Sequence, residues 1–493
     1  MKPTHVTRIW CGVRVALAAF SSLLLLPQGL VSGGGPLLVG GPSFGTPGVP
    51  LVWDTNSAKP ISYRVDAGPL SQLANGGTVV VTNASGVARI QGMFSNWQAV
   101  PTADLALANA GTISAVGAFA GGDVKTVQDY LAVRGDTSGQ TTPDPASCAG
   151  GGQNPIIFDA DGSIFAALGL PPEVIGFEFP CAQDPTTGKI TAAGAILNGK
   201  FQDGIDDGGS NLELSTSYFD QAFTHEFGHF LGLDHSQINV DVLLRDNQQN
   251  TLTPCTTDET AGMPLMFPVL GLCPAKTTLG LPMLSVDDIA WISKLYPVTG
   301  TPGQGKTAFV SAYGLITGTV YFSDGVTPAQ GVNVIARSTT LPDRNAVSVT
   351  SGFLFTGNPG QMVTCQDPAN PTPQTCSNPG DVLGSRDPGK IGYFEIPVPP
   401  GTYSLSVESI YAGFQGGSGI GPLSPPIVMP GTAAQSAPIS VVAGGNTIHD
   451  IVLQGTAARF DAFESAANEK PSPSSLVSLW FKTVLEFLGG SLG

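Results

Sequence analysis

The chain has 493 residues, a net charge of −16, 42% hydrophobic residues and only 12% charged ones. That length exceeds one ordinary domain and predicts two or three. The acidic balance excludes a nucleic-acid partner, whose phosphates need clustered Lys and Arg, and 64 glycines with 41 prolines argue for short strands and long loops over a helical bundle.

In chain order, Lys2, Arg8 and Arg14 precede an apolar run from Val15 to Leu26 and then small residues, the order of a secretory signal peptide over residues 1–33. The run is shorter than the roughly 20 residues of a membrane span, so a secreted chain without stable membrane insertion is expected. Loss of Cys11 leaves six cysteines, which in an exported chain predicts three disulfides. Pairing in sequence order closes local loops at Cys148–Cys181, Cys255–Cys273 and Cys365–Cys376.

A Gly/Pro-rich lead-in (34–52) is followed by a first domain over 53–297. Ile61 to Val65 alternates like a strand, and Val87, Ile90, Phe94 and Trp97 share one helix face. Asp104 to Ala108 and Ala192 to Leu197 read as further strands. A helix is expected to start near Ser217, with Asp220 completing a capping box. Another is expected from about Ser285 to Tyr296, with Asp287 and Asp288 in the first turn, where negative charge is favoured. Residues 298–312 read as a linker by composition. Short strands over 313–455 predict an antiparallel β-sandwich, and an amphipathic helical pattern falls in the tail, 456–493. No feature demands more than a monomer.

The chemistry concentrates in Thr224-His-Glu-Phe-Gly-His-Phe-Leu-Gly-Leu-Asp-His-Ser236. His225 and His229 are four apart, so a helix projects both from one face, one turn apart. Gly232 lets the chain leave that helix in a left-handed conformation and brings His235 round as a third ligand. Three protein ligands leave one tetrahedral position open, the arrangement of a catalytic zinc. Glu226 is placed to act as general base on a zinc-activated water, giving peptide hydrolysis without a covalent intermediate. The plain alternative is three satisfied core histidines. Three of the chain's five histidines within eleven residues, with a Glu between them, make poor core composition.

This stretch closely resembles the zinc motif of the matrixins, the matrix-metalloproteinase branch of the metzincins. Leu265-Met-Phe-Pro268 is similar to their Met-turn, with Met266 beneath the histidines, and residues 284 to 296 are similar to their final helix. The resemblance covers about residues 50 to 297. It implies an α+β metzincin catalytic domain, with a twisted mixed sheet and a zinc-binding helix. It also implies that Ala195, Ile196 and Leu197 belong to the edge strand on which an extended polypeptide substrate adds.

Several features depart from that family. No cysteine stands between the signal and Cys148, so a cysteine-switch latency is not expected. No spare histidine before residue 298 could hold a second, structural zinc. The Met-turn lies unusually far from His235, across an insertion holding Cys255, so Cys255–Cys273 is expected to tie this loop across the specificity pocket. The family usually binds calcium. Asp159 and Asp161 in Asp159-Ala-Asp-Gly162 are the candidate Ca2+ ligands, with a further acidic cluster at Asp203, Asp206 and Asp207; solvated turns are the alternative for both. Residues 313–455 resemble the carboxypeptidase-regulatory-like β-sandwich family, chiefly through Ile316 to Val320 and Gly392 to Tyr403. The expected function is a zinc-dependent metalloendopeptidase. The rival is a catalytically silent metzincin scaffold that binds surfaces, against which an intact Glu226 argues.

Overall fold

The computed structural model describes residues 34–41, 44–135, 148–172, 174–184, 186–206, 212–239, 242, 255–268, 271–329, 331–355, 384–385, 387–408 and 437–453. The signal segment, the Cys365–Cys376 pair, Asp207, the tail helix and the side chain of Cys148 lie outside them. Among the described residues no helix is long and apolar enough to cross a membrane.

The first half is built on a six-stranded sheet. Its strands are β1 (Val52–Trp53), β2 (Ile61–Val65), β5 (Leu107–Thr112), β6 (Pro155–Asp159), β7 (Gly176–Asp184) and β8 (Lys189–Asn198). A small hairpin, β3 (Ser71–Gln72) with β4 (Val79–Val81), stands apart. The order is β1-β8-β6-β2-β5, with β7 paired to β8, and every pairing is parallel except β7 with β8. All five residues of β6 are buried, as expected for a parallel strand covered on both faces.

Two helices pack on this sheet. Helix α1 (Asn83–Gln98) buries Ile90, Phe94 and Trp97, the face its spacing predicts. Helix α4 (Thr216–Phe230) buries Phe219, Phe223, Phe227 and Phe230; the shorter α2 (Val127–Arg134) and α3 (Ser163–Ala167) lie between them in sequence. Phe94 stacks on Phe227 at 4.1 Å and Trp53 on Phe230 at 5.3 Å between ring centroids. The Trp97 indole N–H donates to the Thr224 carbonyl (2.9 Å) and that of Trp53 to the Phe230 carbonyl (2.7 Å). These bonds fix α4 against sheet and helix, and removing the Trp97 side chain would cost about 3–5 kcal/mol.

Two local expectations shift. The cap of α4 is Ser215, whose hydroxyl accepts from the Tyr218 N–H, and Asp220 pairs with Arg89 (2.7 Å) instead of closing a capping box. Three consecutive hydroxyl residues, 215 to 217, could each cap, and tertiary pairing of Asp220 selects the first. The strand expected over 104–108 runs instead from Leu107 to Thr112, after a turn in which Asp104 accepts from the Ser57 N–H.

Helices α5 (Thr257–Gly262) and α6 (Val286–Leu295) complete this half. Beyond α6, residues 298–312 are docked against the first half. Thr307 N–H donates to the Pro101 carbonyl, and Lys306 Nζ donates to the carbonyls of Gln98, Val100 and Ala103. A short helix, α7 (Phe309–Ala312), leads into two four-stranded sheets. One is β11 (Ala346–Thr350), β10 (Asn333–Ser338), β13 (Gly401–Glu408) and β14 (Ile439–Val441) in that order. The other joins β12 (Tyr393–Val398), β9 (Gly314–Tyr321) and β15 (Asn446–Ile448), with β16 (Ile451–Val452) also on β9. The expected pure antiparallel sandwich is corrected here, because β15 and β16 run parallel to β9. The chain crosses from the first sheet at β14 to the second at β15. It passes so close to β9 that a Cβ on Gly318 would lie 2.1 Å from the His449 carbonyl oxygen.

The halves share one apolar core and a polar seam. Trp291 Nε1–H donates to the Ser348 carbonyl (2.7 Å), the Ser348 N–H to Asp287 (2.8 Å) and Arg337 to the Asn239 side chain (2.7 Å). Lys294 pairs with Glu395 at 2.6 Å. The lead-in lies in this seam too: Gly34 N–H donates to the His235 carbonyl, Leu37 N–H to Gly232, and Asp234 N–H to Gly35.

Candidate metal centre

Helix α4 carries His225 and His229 on one face, and the chain then turns at Gly232, whose φ of 85° is left-handed. Gly232 N–H donates to the His229 carbonyl and Leu233 N–H to Gly228, which closes the helix end. The turn brings His235 back over the helix.

The ligand atoms of His225, His229 and His235 all lie within 4.8 Å of one another, and no other such group of three or more occurs among the described residues. Nδ1–H of His225 donates to the Leu265 carbonyl (2.7 Å), and that of His229 to the Leu233 carbonyl (2.8 Å). A carbonyl can only accept, so both rings are held in the tautomer with a free Nε2 lone pair. The Nε2 atoms of His229 and His235 are 3.1 Å apart. Two nitrogens bound tetrahedrally to one zinc would sit about 3.3 Å apart, so the donor set fits that ion. Burial pulls the His225 imidazole down to about 4. Burial and the neighbouring imidazole pull His229 down to about 3, and His235 also falls well below its ordinary value. All three are therefore neutral at pH 7, the form that ligates. Nδ1 of His235 is buried without a partner.

Glu226 stands between the first two histidines. Its Oε2 accepts from the Glu178 N–H at 3.2 Å, and burial pushes its carboxyl up to about 8. Glu226 and His229 keep partial solvent exposure where His225 is buried, so the cluster opens on the Glu226 side.

Met266 lies beneath the helix. A Cβ on Gly228 would come within 2.2 Å of Met266 Sδ, so only glycine allows this approach. Asp288 holds the turn from the other side. One oxygen accepts from the Leu265 N–H (2.8 Å) and the Ser285 N–H (2.7 Å), the other from the Met266 N–H (3.1 Å). Neither Gly228 nor Asp288 stood out in the sequence except as a helix residue and a first-turn charge. The capping-box spacing of Ser285 and Asp288 was the available signal.

The edge strand expected at Ala195, Ile196 and Leu197 is corrected. These three residues are buried in β8, between β6, to which it pairs in parallel, and β7, to which it pairs antiparallel. The outer strand is β7, and its Glu178 N–H is the group that reaches Glu226. The sequence could not separate these strands, because their order depends on non-local pairing.

The two candidate calcium ligands lie at the end of β6 and in the turn that follows it. Asp159 is buried, and its Oδ2 accepts from the Phe165 N–H (2.8 Å). Asp161 Oδ1 accepts from the Ser163 N–H (3.1 Å). Both carboxylates serve the first turn of α3, and burial pushes Asp159 up to about 6. Asp203 likewise accepts from the Ile205 N–H. Cys255 and Cys273 form a disulfide, and Cys181 is disulfide-bonded as well.

No family model matches the chain, and no curated protein does either. A solved leucine-rich repeat protein from Bacteroides thetaiotaomicron VPI-5482 is similar over 29% of this chain and 12% of its own, at 14% identity and a TM-score of 0.14. At that score the likeness carries no argument about fold or function.

Proposed function

We propose that this chain is a zinc-dependent metalloendopeptidase with a metzincin-type, matrixin-like catalytic half, exported and acting as a monomer on extended polypeptides. The observation that carries the reading is the convergence of three neutral imidazoles, two of them with tautomers set by backbone carbonyls, with Glu226 beside them. His225, His229 and His235 would hold the ion. Zinc, when bound there, supplies a Lewis acid that lowers the pKa of a water and polarises a carbonyl.

The chain's own groups do the rest. Glu226 Oε2 is positioned by the Glu178 N–H, which leaves its other oxygen to accept a proton from the attacking water and return it to the leaving amine. An extended substrate would pair along the outer edge of β7, which places its backbone beside Glu226.

The test is zinc stoichiometry and casein cleavage by the mature chain beside Glu226→Ala. One zinc in both with cleavage only in the parent supports the reading. Absence of zinc from both would sink it, and zinc in both with no cleavage by either would favour a silent scaffold.

A further inference from the structure

A narrow cavity lies beside the Met266 turn, lined by Gln221, Thr260, Met263, Phe267, Leu272 and Lys276. Its place follows from the chain. Gln221 precedes His225 by one helical turn, and Met263 and Pro264 run directly into Leu265, whose carbonyl holds the His225 ring. Cys273 of the disulfide forms part of the wall, and Gln221 Oε1 accepts from the Lys276 N–H at 3.1 Å. The zinc helix therefore positions Lys276 directly.

Lys276 is only 3% exposed. An ammonium has three donors, yet Nζ makes one bond, a long 3.4 Å contact to the Ala261 carbonyl. Asp288 is the acidic group that acts on it, but both Asp288 oxygens already accept backbone N–H groups from Ser285, Leu265 and Met266. Burial accordingly pulls Lys276 down to about 8. A buried cation so poorly matched is costly unless something anionic completes it. Gln221 and Thr260 are the other polar side chains that line the cavity, and neither bonds Nζ, so the missing partner would come from outside.

We propose that this cavity receives the substrate side chain next to the scissile bond, and that Lys276 makes it select an acidic one, glutamate or aspartate. The proposal rests on the peptidase reading and adds a substrate class to it. A carboxylate would form a charge-assisted hydrogen bond with Nζ, an apolar side chain would leave the ammonium unmatched, and Lys or Arg would be repelled.

Quenched peptides varied at a single position beside the scissile bond test this on the full mature chain. The parent should cleave the Glu peptide with kcat/KM about tenfold above its isosteric Gln counterpart, and Lys276→Met should bring that ratio close to one. Fluorescence anisotropy on Glu226→Ala, with the same peptides labelled, gives a readout without turnover, and the Glu peptide should bind more tightly than the Gln one. Cleavage with equal Glu and Gln rates overturns the pocket assignment and leaves the peptidase reading standing. Glu-selective binding without cleavage by the parent does the reverse. A parent that neither cleaves nor discriminates overturns both.

Discussion

The histidine turn at 225–235 and the acidic turn at 159–163 both carry the residue types and spacings of a metal loop, and the fold treats them in opposite ways. In the first, backbone carbonyls take the Nδ1–H groups of His225 and His229, so the partners fix the rings and leave the Nε2 lone pairs free. In the second, backbone N–H groups of Phe165 and Ser163 take the carboxylate oxygens of Asp159 and Asp161. The difference is which end of the side chain the backbone engages. An imidazole has two nitrogens and can be held by one while ligating with the other. A short aspartate at a helix start offers the same oxygens to cap or cation, and the cap is always present.

The comparison can be broken or sharpened by experiment, the largest effect first. His229→Ala should abolish both zinc retention and casein cleavage, read by metal analysis and product assay; retained zinc would show that the convergence is incidental. Glu226→Gln should keep the zinc and lower kcat/KM by about 10²–10⁴-fold, measured on a peptide cleaved by the parent. Asp159→Ala should cost about 1–2 kcal/mol in chemical denaturation, and added calcium should leave the parent's melting temperature unchanged. A calcium-dependent rise lost in that variant would return the acidic turn to the metal class.

A separate effect concerns pH. Burial, assisted by Asp288, pushes Asp287 up to about 8 in the folded chain, above the unfolded value near 4. Folding thus favours its protonated form, so its contribution is fully present below about pH 4 and is lost as pH rises towards 8. Unfolding free energy should fall with pH over that window by at most about 1.4 kcal/mol per unit. Asp287→Asn should flatten the dependence.

The histidine turn was legible because everything that assembles it is local: a four-residue spacing, a glycine where φ must be positive and a histidine just beyond. The buried face of α1 and the start of α6 near Ser285 were legible for the same reason. What was not legible depends on partners distant in sequence. That β7 lies outside β8, that Asp288 grips the Met266 turn, and that Gly228 exists to admit Met266 all require knowing what packs opposite. The acidic turn is ambiguous in sequence because its spacing serves a cap as well as a cation.

The lead-in has a consequence in time. Residues 34–37 clasp the backbone of Gly232 to His235, and they are themselves held by the far end of the chain. A Cβ on Gly34 would strike the Ser348 carbonyl, and the Gly384 N–H donates to the Val39 carbonyl. During synthesis the first strand of this clasp emerges at the outset and its last anchor only near the end. Contacts so far apart in sequence form late. The last anchors of the segment that clasps the His235 turn are therefore in place only once Ser348 and Gly384 have been made.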